Sequence, residues 1–181
     1  MAPYLSPEGI ANLIAVDECS VCLETRLRKV VAEKGSKPII TSEKSYSKGV
    51  SIIGGISGTG QLIWDIIESR ANSTHFKNFL ETVKFNYGQY LPNNDPIHMQ
   101  LDNATYHKTK TVKEKAKELG IEFHFQPSHS PHVMAAEEIW RQLREFLRSR
   151  LFKSINWLRE AITEFFMFNR VLNISITSYL T

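Results

Sequence analysis

The sequence predicts an α/β fold, a mixed five-stranded sheet flanked by helices. Three observations lead there: β-rich runs separated by turn residues in the first part, a strand, helix, strand order in the middle, and two amphipathic helical stretches at the end. Successive hairpins give antiparallel neighbours. A strand, helix, strand unit of this length joins parallel ones, so the sheet is mixed.

Element by element, strand patterns cover Ile10 to Val16, about Val21 to Leu27, Gly49 to Ile56 and Gln61 to Ile67, with Gly54-Gly-Ile-Ser-Gly-Thr-Gly60 read as a glycine-rich hairpin turn rather than a phosphate loop, since it lacks Gly-Lys-Ser/Thr. The polar, lysine-rich stretch from Ala32 to Lys48 reads as a long exposed connection with a short extended piece at Pro38 to Thr41. After Asn72 or Ser73 as N-cap, Phe76, Phe79, Leu80 and Val83 recur at helical spacing. Pro96 to Leu101 is the next strand, Thr109 to Leu119 a helix stopped by Gly120, and Ile121 to Phe125 an alternating strand. Beyond the loop Gln126 to His132, one helix runs to about Phe152. Another, capped by Ser154, runs to about Arg170. Hairpins first, parallel strands next and helices last describe a ribonuclease H-like domain.

The bulk numbers fit one domain over residues 1–181. A hydrophobic fraction of 42% with 23% charged residues is ordinary for a globular chain of 181 residues. The excess of 22 basic over 19 acidic residues matters only where it clusters. No stretch reaches the roughly 18 apolar residues of a membrane span, and the N-terminus lacks a basic then apolar leader. The expectation is an intracellular, cytoplasmic protein. Cys19 and Cys22 are too few for a disulfide framework. Their spacing would allow zinc with His129 and His132, but opposite-facing strand positions do not converge on one ion.

Three carboxylates carry the chemistry. Asp17 follows the apolar run Asn12-Leu-Ile-Ala-Val16, Asp102 closes the strand ending at Leu101, and Glu137 opens a long helix. Phosphodiester chemistry is served by two divalent ions about 3.5 to 4 Å apart, and hard cations prefer carboxylate oxygens. Three acids on separate elements can hold two such ions, with Asp17 as the bridge. Each acid alone would pass as an ordinary surface group; the joint context singles them out. Glu138 competes with Glu137 for the third place. On a helical wheel Glu137, Arg141, Arg144 and Arg148 lie within about 60° of one another. That arginine stripe reads either as a track for DNA phosphates or as a solvated face. Lys108, Lys110, Lys113, Lys115 and Lys117 spread too widely around their helix to form one ligand site.

The words Val16-Asp-Glu18, Leu101-Asp-Asn-Ala-Thr-Tyr-His107, a Ser-Pro loop and Glu137-Glu-Ile-Trp140, with 34 residues between Asp102 and Glu137, resemble the mariner-like transposases and their prokaryotic insertion-sequence relatives. Leu158-Arg-Glu-Ala-Ile162, Phe165-Phe166, Asn169 and Tyr179-Leu-Thr181 resemble their closing segment. The resemblance implies a DDE catalytic domain on a ribonuclease H-like fold, with Asp17, Asp102 and Glu137 holding two Mg2+ or Mn2+ ions. It implies cleavage at transposon ends and strand transfer into target DNA, commonly at TA, by a homodimer located with the nucleoid if the source is prokaryotic. Asn103 and His107 match the family word and are assigned to the metals or the DNA backbone, with a structural hydrogen bond as the alternative. The family also carries N-terminal helix-turn-helix modules, which the residues before Asp17 are too few to form. Where relatives have Asn-Pro before the glutamate, this chain has Met134-Ala-Ala136. The missing cap costs about 1 kcal/mol and would loosen the first turn around Glu137. The rival readings are a silent DNA-binding or dimerisation module and a ribonuclease H-like nuclease on other substrates.

Overall fold

The computed structural model describes residues 10–23, 34–35, 49–91, 95–126, 135–148 and 150–168. Five strands, β1 (Leu13–Cys22), β2 (Gly49–Ser57), β3 (Leu62–Ile67), β4 (Ile97–Leu101) and β5 (Ile121–Phe125), form one sheet in the order β3-β2-β1-β4-β5. Pairings among β1, β2 and β3 are antiparallel, whereas β4 runs parallel to β1 and β5 to β4. This is the mixed sheet expected. Helices α1 (Ser73–Asn86) and α2 (Lys110–Leu119) cover one face; α3 (Ala135–Leu147) and α4 (Ile155–Phe168) cover the other.

Alternation along β1 divides the core in two. Leu13, Ala15 and Cys19 pack with Ile139, Leu143, Leu158 and Ile162, while Ile14 and Val16 pack with Phe76, Phe79, Leu80 and Val83. A period of two then sends Asp17 toward the α3 side and Glu18 toward the α1 side.

Helix ends follow their sequence signals. Asn72 Oδ1 accepts from the Thr74 and His75 amides, satisfying two donors that a helix start leaves open. Gly120 closes α2 in the left-handed region at φ 68°, where a Cβ would be strained. Ser154 Oγ accepts from the Trp157 amide and caps α4. α3 is shorter than expected, ending at Leu147 in 3-10-type turns from Arg148 to Glu145 and Arg150 to Leu147.

Two expectations are corrected. Leu13 to Val16 of the first run and Val21 and Cys22 of the second belong to a single strand, β1, while Ile10 to Asn12 form a helical turn before it. Its polar centre looked like a break, but Asp17, Glu18 and Ser20 each have a side-chain partner from a neighbouring element. Likewise Gly54 and Gly55 lie within β2, and the turn is confined to the residues after Ser57. Gly54 is where the Trp140 indole lies against the sheet: a Cβ there would stand 2.7 Å from the indole Cη2. Because Trp140 is buried and cannot swing away, Gly54→Ala is expected to cost roughly 1 to 3 kcal/mol by overpacking. Urea denaturation would read that loss. The connection read at Pro38 to Thr41, most of the Ser-Pro loop and the segment after Phe168 lie outside the described residues.

Candidate active site

Asp17 sits mid-strand in β1, beside Gly54 of β2. Pairing with β4 aligns Leu13 with His98, Ile14 with Met99 and Ala15 with Gln100. The same register carried two residues on sets Asp17 level with Asp102, just past the end of β4. The two acids feel one another: burial pushes the Asp17 carboxyl up to about 6, and the charges of Glu18 and Asp102 add to it, against the Glu18 amide and the Trp140 indole, which favour the carboxylate.

Trp140 Nε1 donates to Asp17 Oδ2 at 3.0 Å. The indole is fixed from behind by Phe166, which meets it edge-on at 6.4 Å and stacks on Trp64 at 4.8 Å. Glu137 is the third residue of α3, exposed, and one helical turn before Trp140. Residues three apart share a helix side, so the indole that binds Asp17 also fixes the turn bearing Glu137. Ala135 and Ala136 are fully buried. Packing therefore anchors this turn, offsetting the fraying expected from the absent Asn-Pro. Glu138 is committed elsewhere, to Arg141 Nε at 2.6 Å and Gln142 Nε2 at 2.9 Å, and its pKa is lowered chiefly by Arg141.

Sequence reasoning missed the role of Glu18 and Tyr106. The Tyr106 hydroxyl donates to Glu18 Oε1, and His107 Nε2 lies 3.0 Å from the same oxygen. His107 Nδ1 is 3.1 Å from Asp102 Oδ1 but off the line a hydrogen bond needs. The imidazole therefore stands between Glu18 and Asp102, and the Ala104 amide donates to Asp102 Oδ1 at 2.9 Å. Desolvation and the Glu18 charge raise the Tyr106 pKa, keeping the phenol a donor. The signal was in the sequence, since Glu18 follows Asp17 and Tyr-His completes the word after Asp102; only the fold shows that they meet.

His107 is 0% exposed and stands beside the carboxylates, where it bonds Glu18. Asn103 is exposed, donates to the Gln126 carbonyl at 2.6 Å and accepts from Lys108 Nζ at 2.6 Å. On the arginine stripe, Arg141 pairs with Glu138 and Arg148 with Glu145, while Arg144 Nη2 reaches Cys19 Sγ at 3.4 Å. Cys19 is buried and Cys22 exposed, three residues apart on β1, and His129 and His132 lie outside the described residues.

The donor set suits a hard divalent cation. It is rich in carboxylate oxygen: ligand atoms of Glu18, Asp102 and His107 lie within 4.8 Å of one another, and Asp17, raised chiefly by its burial, also feels the charges of Glu18 and Asp102.

Residues 12–159 match the family model described as DDE superfamily endonuclease. The chain belongs to that family. This DDE endonuclease domain is 24% identical to the transposable element Tc3 transposase of Caenorhabditis elegans over 131 residues, covering 71% of this chain and 40% of that protein. Its fold is that of the Mos1 mariner transposase catalytic domain, with TM-score 0.68 at 13% identity, covering 96% of this chain and 77% of that one. In the Mos1 strand transfer complex the TM-score is 0.75 at 14% identity, covering 93% and 51%. The DDE chain thus spans about half the length of the transposases it matches in their DNA complexes, and 40% of Tc3. Mos1 paired-end complexes are known with Mn and with Mg. The mariner-like resemblance and the ribonuclease H-like fold both stand. No helix among the described residues is long and apolar enough to cross a membrane.

Proposed function

We propose that residues 1–181 form the single catalytic domain of a mariner-type transposase, cutting DNA at transposon ends and joining the freed end to a target. The observation that carries this is that Asp17 on β1 feels the charge of Asp102, just past the end of the neighbouring parallel strand β4, with Trp140 tying the Glu137 helix to Asp17. Asp17, Asp102 and Glu137 would hold two Mg2+ or Mn2+ ions, which would supply activation of the attacking oxygen and stabilisation of the leaving one. The chain's own residues do the positioning. Trp140 orients Asp17, Tyr106 and His107 hold Glu18 against the strand, and the Ala104 amide fixes Asp102. Burial keeps water from the inner side of Asp17.

DNA is the partner, engaged as a homodimer. A protein acting on DNA works where DNA is, so the cytoplasmic, nucleoid-side location belongs to the same proposal. Arg144 and Arg148 line a pocket with Ser20, Cys22 and Phe152 and offer a phosphate track beside the site. Because Arg141 and Arg148 already have glutamate partners, Arg144 is the expected main contributor, and Asn103 contacts the backbone from the Asp102 side. Arg144→Ala should lower the slope of log affinity against log salt by about 0.9 for duplex DNA. An unchanged slope would take the stripe off the DNA path.

Calorimetric titration with Mn2+ tests the centre. Wild type should bind, while Asp102→Ala and Glu137→Ala, folded by circular dichroism, should lose binding. Mn2+-dependent nicking retained in alanine variants of all three acids would overturn the assignment.

A further inference from the structure

The edge of the sheet carries a second cluster of ligating side chains. The pairing of β4 with β5 aligns His98 with Glu122 and Gln100 with His124. Residues two apart on a strand share a face, so His98, Glu122 and His124 leave the sheet on the same side. His98 Nδ1 lies 3.0 Å from His124 Nε2 and 3.5 Å from Glu122 Oε2, and one ligand atom of each lies within 4.8 Å of the other two. We propose that His98, Glu122 and His124 form a binding site for one borderline divalent transition-metal ion of the Zn2+ class, separate from the carboxylate centre.

The nitrogen separation fits a shared ion. With metal to nitrogen bonds of about 2.0 to 2.1 Å, two imidazoles on one ion stand about 2.9 to 3.4 Å apart for octahedral to tetrahedral angles. The observed 3.0 Å lies in that range with the strands where they are. Two imidazoles and one carboxylate favour zinc-like ions over magnesium, the reverse of the oxygen-rich centre. Access is provided for, because β5 is the edge strand and the Glu122 side chain is 60% exposed, leaving room for water as a further ligand. The His98 side chain, at 14%, keeps the inner side of the site from solvent. His98 precedes Asp102, just past the end of β4, by four residues, about 13 Å along an extended chain, so the two sites do not share an ion. Occupancy would join the edge strand to its neighbour across their side chains.

Zn2+ titration of the metal-stripped chain in excess Mg2+, followed by imidazole 1H–15N resonances and thermal melting, is the test. One equivalent should shift His98 and His124 together and raise the melting temperature, and Glu122→Ala and His124→Ala should lose both responses. Because Glu122 is exposed, its variant stays informative even if His124→Ala fails to fold. Resonances of His98 and His124 that stay still at one equivalent would overturn the site and leave a plain imidazole to imidazole hydrogen bond. So would a response unchanged in Glu122→Ala.

Discussion

Asp17→Asn is expected to stabilise the metal-free protein above pH 6 while abolishing metal-dependent cleavage. The folded-state pKa of Asp17, about 6, stands above its ordinary value of 3.8. The folded protein therefore holds this proton more tightly than the unfolded chain, and the cost of ionising Asp17 in place builds as pH rises from about 4 to 6. Above that window the cost is fully present, with an upper bound of roughly 3 kcal/mol at 1.36 kcal/mol per unit. Asparagine never ionises and still offers an oxygen to the Trp140 indole. The stability difference between variant and wild type should thus be small at pH 4, grow through pH 6 and then level off, as read by urea denaturation across that range. A flat difference would show that Asp17 carries no ionisation penalty. Adding Mn2+ should reverse the order, since only wild type gains binding energy from the ion. Stability rising with loss of function is the expected mark of an active-site acid.

Most of the fold was legible because its signals are local. Alternation in β1, the helical spacing of Phe76, Phe79, Leu80 and Val83, the Asn72 cap and the Gly120 stop each depend on residues a few positions apart. Sequence reading failed where a distant side chain decides. The centre of β1 looked broken because Asp17, Glu18 and Ser20 are polar, and their partners Trp140, Tyr106, His107 and Ser51 come from other elements. Gly54 looked like a turn residue because nothing nearby in sequence shows that an indole will lie over it. The acids proposed for the candidate site were singled out by their motif words, which mark chemistry. Glu18 was passed over because its work is to receive Tyr106 and His107, a contact made only by the fold.

Trp140 joins these two levels, and replacing it should have the largest effect on stability. The side chain is 2% exposed, fills the space over Gly54 and packs on Phe166. Trp140→Ala removes that volume from the α3 interface, and large-to-small changes of this kind cost about 3 to 5 kcal/mol. It also takes the indole donor from Asp17 while opening the carboxyl to water, two changes that act on its pKa in opposite directions. Trp140→Phe separates the two effects: it keeps most of the packing but loses the N–H, for about 1 to 3 kcal/mol. The pKa of Asp17, followed by carboxyl 13C shifts, should rise in Trp140→Phe, which keeps the burial and loses only the donor. Mn2+ affinity should fall in both variants, with the greater loss in Trp140→Ala, where the turn carrying Glu137 loses its anchor. If Trp140→Phe left the pKa and the metal affinity at wild-type values, the indole would be a packing residue only, and the link from α3 to Asp17 would have to run through the backbone of the sheet.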